Sequence, residues 1–138
     1  MIARLLPDTA LEQPYRDFLD TLQAAGFKGE IDSSRGLRSV LATDNSIYQR
    51  PPLAGVFPRD TADITLLARL LQDPRFRQVV VTPRGGGTGT NGQSLTEGLC
   101  VDLSRHMNKI LEIDPQGRWV RVQAGVVKDP FTIEAAGP

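Results

Sequence analysis

The sequence predicts an α+β fold in which a small mixed β-sheet is flanked by helices. Residues 11–25 carry apolar side chains at the spacing of one helix face. Residues 54–82 read as strand, helix and strand, which predicts parallel pairing, and short strands follow after residue 98. The 138 residues suffice for one modest domain that buries roughly two-thirds of its unfolded surface.

The first predicted element is a helix over residues 11–25. Gly26 follows it as a C-terminal stop, because glycine readily adopts the left-handed conformation that ends helices. The next stretch, residues 28–42, is polar and mixed, and residues 32–36 are interpreted as a loop. We therefore expect this stretch to lie over the surface or to reach towards a ligand. The apolar face of the helix consists of Leu11, Tyr15, Phe18, Leu19 and Leu22.

A strand–helix–strand unit follows. Residues 54–57 form a short strand bounded by prolines, and Asp60 or Thr61 caps the next helix. Residues 79–82 return as an apolar strand, so this order predicts a right-handed crossover with parallel pairing of the two strands. The predicted buried stripe of the helix is Ile64, Leu67, Ala68 and Leu71.

Three short strands complete the prediction. Residues 114–117 read Asp-Pro-Gln-Gly, a strong turn signal that joins the last two strands as a hairpin. Phe57 and Trp119 occupy strand positions typical of a core, so packing is their first interpretation. The three strands span residues 99–103, 110–113 and 119–122.

Composition excludes several function classes. The 16 basic and 16 acidic residues balance, which gives no support for binding nucleic acid or an anionic membrane. The single cysteine, Cys100, excludes an internal disulfide, and its apolar strand predicts a buried, inert thiol. Metal-ligand residues are scattered and no nucleophile motif occurs, so neither a metal site nor a hydrolase triad is predicted. No stretch approaches the ~20 apolar residues of a membrane span, and a cytoplasmic location is the default.

The most informative segment is the glycine loop, residues 83–94, which directly follows an apolar strand. Five of its twelve residues are glycine, and most of the others are small and polar. Backbone amides can therefore approach a bound group without interference from side chains. The pattern predicts an anion-binding loop, and its plain structural alternative is a long turn.

Two nucleotide-binding motifs fit the loop only in part. A P-loop would use Gly87 and Gly92, but Gln93 stands where the phosphate-binding lysine belongs. A dinucleotide-binding fingerprint would add Gly89 between these glycines and Glu112 further on, but it must open a helix. The residues after this loop lead into a strand instead. The amides would then hold phosphates as a nest, without a helix dipole.

The glycine loop belongs to a longer pattern of segments. Residues 56–59 (Val-Phe-Pro-Arg), 101–108 (Val-Asp-Leu-Ser-Arg-His-Met-Asn) and 120–126 (Val-Arg-Val-Gln-Ala-Gly-Val) accompany it, and residues 43–48 (Thr-Asp-Asn-Ser-Ile-Tyr) lead into it. Together they resemble the first half of the flavin-binding domain of the vanillyl-alcohol-oxidase type, also called the PCMH-type FAD domain. The likeness is greatest to bacterial FAD-linked oxidases similar to D-lactate and D-2-hydroxyglutarate dehydrogenases.

The resemblance implies that the glycine loop wraps the pyrophosphate of FAD. Family members that attach flavin covalently often carry a histidine at the position of Thr88. Threonine cannot form that bond, so we expect noncovalent FAD. The implied cofactor-binding residues are Pro83, Arg84, Gly85, Gly86, Gly87, Thr88, Gly89, Thr90, Asn91 and Ser94.

The resemblance also places this chain within a larger scheme. Residues 1–42 would form a helical and loop lead-in, and residues 43–138 the first lobe of the FAD domain. The second lobe and the substrate domain are absent, so we expect a fragment or a truncated relative. The full protein would oxidise a D-2-hydroxy acid, of the D-lactate or D-2-hydroxyglutarate type, by hydride transfer to flavin N5. No residue here is assigned as catalytic, and any iron–sulfur cluster would lie in the missing part.

Two rival interpretations stay open. In the first, the chain is a non-catalytic module that holds flavin weakly or not at all, because it has half of the pyrophosphate site. The surface left by the missing lobe would then favour self-association. In the second, the chain is an isolated binder of nucleotide phosphates through the same amides.

Three further side chains are candidates for roles at the cofactor. Arg84 either pairs with a phosphate or is a solvated residue at the loop edge. His106, the only histidine, has no carboxylate near it in sequence to orient it, so a structural or cofactor-edge role is favoured over a catalytic base. Tyr48 precedes a double proline, where a loop could bring its ring against the flavin.

Overall fold

The structure, a computed structural model, describes residues 11–127, so the ends of the predicted segments 1–42 and 43–138 lie outside it. Its α-helices are α1 (Gln13–Ala24), α2 (Arg35–Leu41) and α3 (Thr61–Leu70), and a 3₁₀ turn spans Pro74–Phe76. Its strands are β1 (Glu30–Asp32), β2 (Ala54–Phe57), β3 (Val81–Arg84), β4 (Leu99–Asp102), β5 (Ile110–Ile113) and β6 (Val120–Val122).

Four strands form one mixed sheet in the order β1-β2-β4-β3. Strand β1 is antiparallel to β2, whereas β2 and β3 both pair parallel with β4. The predicted mixed sheet is confirmed, but the predicted pairing of β2 with β3 is wrong because β4 lies between them. Every residue of β2 and β4 is buried, as expected for central strands covered on both faces.

Helices α1 and α3 cover one face of the sheet. The predicted stripe of α1 is confirmed, since Tyr15, Phe18, Leu19 and Leu22 are all buried, and Gly26 ends the helix region with a φ of 94°. Phe18 meets Phe76 edge-on at a centroid distance of 5.2 Å, a favourable aromatic geometry. The sheet residues in this core are Ala54, Val56, Leu99 and Val101.

Helix α2 covers the opposite face. A Cβ at Gly55 would lie 2.8 Å from Leu37 Cδ2 and 2.9 Å from Leu41 Cδ1, so the missing side chain lets α2 approach β2. Many side chains of residues 28–42 are exposed, as a surface stretch predicts, but the predicted loop at 32–36 is wrong in part because only residues 33 and 34 lie between regular elements. This stretch contains β1 and α2, and the Ser34 hydroxyl caps α2 by accepting from the Leu37 amide.

The first turn of α3 forms hydrogen bonds with two neighbouring segments. Asp60 caps the helix, as predicted, by accepting from the Asp63 amide at 3.1 Å. Asp63 is only 1% exposed, and its carboxylate accepts from the amides of Lys28 at 3.0 Å and Arg59 at 2.9 Å. Of the predicted stripe, Leu67 is buried but Ala68 is exposed, because the helix turns Asp63 inward.

Strands β5 and β6 form a separate antiparallel hairpin. Its turn is the predicted one, with the Gly117 amide donating to the Asp114 carbonyl at 2.8 Å and a φ of 68° at Gly117. Phe57 is 1% exposed, which confirms its core position. Trp119 is 46% exposed, so its predicted core position is wrong for residues 11–127. A hairpin of two strands has only its own cross-strand neighbours to cover a large ring.

Candidate functional site

The glycine loop leaves the carboxyl end of β3 and enters β4 at Leu99. It therefore joins strand to strand, and no helix begins between residues 85 and 98 of the described chain. Gly87 has a φ of 68° and Gly92 a φ of 74°, which residues with side chains rarely adopt. These two positions explain why the turn requires glycine. The geometry agrees with the exclusion of the dinucleotide-binding fingerprint.

The amides at the start of the loop are free to bind a ligand. Within the described part of the chain, the amides of residues 85–90 donate no hydrogen bond. The next amide, that of Asn91, donates to Gln93 Oε1 at 3.3 Å. Successive amides at a surface turn that have no acceptor among the described residues are available as donors for an anion. This run of donors is the main chemical feature of the site.

Arg84 links the base of the loop to α2 and the segment after it by hydrogen bonds. Its Nη2 donates to the Thr43 carbonyl at 2.9 Å and its Nη1 to the Leu41 carbonyl at 3.5 Å. A Cβ at Gly87 would overlap the guanidinium, so the glycine lets the loop pass over the arginine. Arg84 is thus a half-buried support that carries positive charge beneath the loop, rather than a solvated residue at its edge.

The far end of the loop is fastened through Ser94. Its hydroxyl is buried and donates to Asp44 Oδ2 at 3.2 Å, while Asp44 Oδ1 accepts from the Ser46 amide at 2.8 Å. The Ser46 side chain, its amide and the Ser94 hydroxyl lower the pKa of Asp44, with a smaller contribution from the Arg84 charge. An ionised Asp44 therefore links the lead-in segment to the far end of the loop.

The remaining predicted site residues lie around this frame. Gly85 and Gly86 face the chain after β6, since a Cβ on them would lie 3.9 Å from the Ala124 carbonyl oxygen and 3.5 Å from Val127 Cγ2. A Cβ at Gly89 would lie 2.5 Å from Gln93 Nε2, so Gln93 folds back over the loop. Exposed residues complete the set, namely Pro83, Thr88, Thr90 and Asn91.

A second polar cluster lies at the carboxyl ends of β2 and β4, next to the edge strand β1. Glu30 Oε1 is 2.7 Å from His106 Nε2, and Arg105 Nη1 donates to Glu30 Oε2 at 2.8 Å. The Arg105 guanidinium stacks on the Phe57 ring at 3.5 Å from its centroid. The hydrogen bonds from His106 and then Arg105 lower the pKa of Glu30. Sequence reasoning missed this partner of His106 because 76 residues separate the two.

Residues 11–127 show neither a metal site nor a membrane-spanning helix. They contain no group of three His, Cys, Asp or Glu side chains that could hold a metal ion. None of the described helices is long and apolar enough to cross a membrane. Cys100 is buried as predicted, and burial raises the pKa of its thiol to about 11.

Known proteins resemble this chain over most of its length. A family model described as an FAD binding domain matches residues 52–136. D-2-hydroxyglutarate dehydrogenase of Pseudomonas putida is 60% identical over 129 residues, which are 94% of this chain and 13% of that protein. A glycolate oxidase subunit of Bacillus subtilis is 38% identical over 108 residues, 77% of this chain and 22% of that subunit.

Solved structures show the same fold. A structure of alkyldihydroxyacetonephosphate synthase superposes with a TM-score of 0.71 at 19% identity, covering 99% of this chain and 28% of that one. The chain spans about 13% of the length of the curated dehydrogenases it matches. Its glycine loop and the segments 56–59, 101–108 and 120–126 lie within the matched range, and the lead-in segment 43–48 precedes it. The chain belongs to the FAD binding domain family, and its relatives include D-2-hydroxyglutarate dehydrogenases.

Proposed function

We propose that the glycine loop holds the pyrophosphate of FAD through the backbone amides of residues 85–90. The observation that carries this proposal is the run of amides that lack an acceptor among residues 11–127. The Arg84 guanidinium lies against Gly87 and carries positive charge at the base of the loop, which favours an anionic ligand. Pro83 and Ser94 hold the two ends of the loop in position. Polar side chains contact the ligand from Thr88, Thr90 and Asn91.

We further propose that FAD is held without a covalent bond. Position 88 carries a threonine, whose hydroxyl is a poor nucleophile at neutral pH. The single cysteine is buried with a raised pKa of about 11, and the single histidine is hydrogen-bonded to Glu30. The better nucleophiles of the chain are therefore occupied or inaccessible. Acid denaturation should release all of the flavin.

For the whole protein we propose oxidation of a D-2-hydroxy acid of the D-2-hydroxyglutarate or D-lactate type. The support is the 60% identity to a D-2-hydroxyglutarate dehydrogenase across nearly all of this chain. FAD supplies the hydride acceptor, and the residues described here bind and orient it. An iron–sulfur cluster, if the whole protein has one, would need ligands from outside this chain, because the chain has one cysteine.

A second candidate is that the chain alone folds but does not retain FAD, and self-associates. The observation that favours it is the exposed apolar surface of the hairpin, where Leu111 and Trp119 are 56% and 46% exposed. Ile113, Val122 and Val127 add to this surface. Apolar patches of this kind often mark a surface that is covered in a larger assembly.

The experiment is FAD retention measured by absorption after incubation and removal of free ligand. Flavin at one per chain would support the proposal. A matched pair of variants makes the test specific. Gly87→Ala places a Cβ against Arg84 at a φ of 68°, whereas Gly36→Ala points a Cβ into open space. We expect loss of flavin only in Gly87→Ala. A folded, colourless and dimeric wild-type chain would establish the second candidate instead.

A further inference from the structure

One asparagine of the chain is followed by glycine, and it lies in the glycine loop. Asn91 is exposed, and Gly92 after it has a φ of 74°. Among residues 11–127, the side-chain amide of Asn91 has no hydrogen-bond partner. The backbone amide of Gly92 likewise donates to no acceptor in this part of the chain. A backbone nitrogen that makes no hydrogen bond there is therefore next to a carboxamide that makes none.

The other two asparagines of the chain lack this combination. The backbone amide that follows Asn45 donates to Asp44 Oδ1 at 2.8 Å. The backbone amide that follows Asn108 donates to Gln123 Oε1 at 3.0 Å, and the Asn108 side chain itself donates to the Ser104 carbonyl at 3.0 Å. Both asparagines precede a residue with a side chain, which crowds the approach of its nitrogen, whereas glycine has no Cβ.

We propose that Asn91 is the preferred site of spontaneous deamidation among the asparagines of this chain. The Gly92 nitrogen attacks Cγ of Asn91, and the new N–Cγ bond replaces the bond from Cγ to Nδ2. The proton of the Gly92 nitrogen leaves with the side-chain nitrogen as ammonia. Water then opens the cyclic imide at either carbonyl and gives aspartate or isoaspartate. Nothing is oxidised or reduced, and water is the only co-reactant.

The reaction adds one negative charge to the glycine loop. Residue 91 directly follows the run of donor amides at residues 85–90, and a carboxylate there repels an anion that those amides bind. The isoaspartate product also inserts a methylene group into the backbone, which displaces the neighbouring amides. The effect on FAD rests on the proposed function, whereas the reaction itself does not. Deamidation of Asn91 thus sets a limit on how long the loop keeps its affinity for FAD.

Peptide mapping by mass spectrometry, after incubation of the chain in mildly alkaline buffer, measures the conversion of each asparagine. The amides after Asn45 and Asn108 must first lose a hydrogen bond, so we expect Asn91 to convert roughly tenfold faster than either. Asn91→Gln keeps a neutral amide but would have to close a larger ring, so it should release much less ammonia. Conversion of Asn91 no faster than Asn45 or Asn108 overturns the inference. A chain that binds no FAD would remove the proposed function and leave this measurement intact.

A matched pair of variants tests the effect of the added charge. Asn91→Asp carries the charge of the product, and Gln72→Glu adds the same charge at an exposed position between α3 and the 3₁₀ turn. We expect Asn91→Asp to weaken FAD binding about tenfold and Gln72→Glu to bind FAD like the wild-type chain. Fluorescence titration measures both affinities. Equal affinities in the two variants would overturn the stated effect of deamidation on the loop.

Discussion

Arg84 donates from Nη2 to the carbonyl oxygen of Thr43 at 2.9 Å, and this bond joins the base of the glycine loop to the segment after α2. The two residues are 41 positions apart in sequence. The contact holds the base of the loop in place and keeps the Arg84 charge next to it. It also makes the lead-in segment part of the site.

Removal of the Arg84 side chain should weaken anion binding by the loop. Arg84→Gln loses the charge and the bond to Thr43, so we expect FAD affinity to fall at least tenfold and the free energy of unfolding to fall by about 1–3 kcal/mol. Fluorescence titration and urea denaturation measure the two effects. Arg77→Gln is the control, because this exposed arginine precedes β3 at the opposite end of the strand. Equal effects in both variants would contradict the role given to Arg84.

Asp63 should be a major determinant of stability although it lies far from the glycine loop in sequence. Asp63→Ala leaves the amides of Lys28 and Arg59 without their buried acceptor. We expect a loss of about 2–4 kcal/mol in the free energy of unfolding. Urea denaturation checks this value, with the exposed Asp20→Ala as the control. If Asp63→Ala lowers the free energy of unfolding less than Asp20→Ala does, water accepts from the two amides in place of the carboxylate.

The Cys100 thiol should resist alkylation in the native state. It is 1% exposed, and burial raises its pKa to about 11, so little thiolate forms at pH 8. We expect iodoacetamide to react only as fast as the chain opens, and rapidly in urea. Because the folded pKa exceeds the unfolded one, stability should also fall as the pH rises from about 9 towards 11. The stability of Cys100→Ala should not show this part of the fall with rising pH.

Glu30 should contribute to stability at neutral pH and lose that contribution in acid. Its pKa is lowered in the folded chain by His106 and Arg105, so protonation is harder in the native than in the unfolded state. The contribution is present above the unfolded pKa and is lost as the pH falls through the folded pKa. Between pH 6 and 3, the urea midpoint of Glu30→Gln should therefore fall less than that of the wild-type chain. The difference between the two is the contribution of Glu30. Glu12→Gln is the control, because the Glu12 side chain makes no capping hydrogen bond to α1. Its urea midpoint should fall with pH like that of the wild-type chain.

The parts of the fold that the sequence predicts well have strong local signals. Helix α1 shows a clean apolar face and a glycine stop, and β4 is a continuous apolar run. The strand-to-strand course of the glycine loop follows from these same local patterns. Its free amides also follow, because adjacent glycines seldom complete a regular ladder.

The parts that the sequence does not predict depend on contacts between distant segments. Strand β1 has three residues and α2 has seven, too few for a periodic pattern to emerge from polar sequence. Asp63 resembles a solvated helix carboxylate until β2 and the chain before β1 bring two amides to it. Glu30 reaches His106 only through the pairing of β1 with β2. Trp119 has core-like chemistry but lies in a hairpin that covers it only partly.

Among residues 11–127, the position of β3 at the end of the order β1-β2-β4-β3 leaves one side of that strand without a neighbour. The carbonyls of Val80 and Arg84 accept from β4, so the intervening Pro83 has its nitrogen on the open side. Proline carries no N–H there and cannot pair with an added strand. The edge of the sheet beside the glycine loop is thereby protected against pairing with another chain.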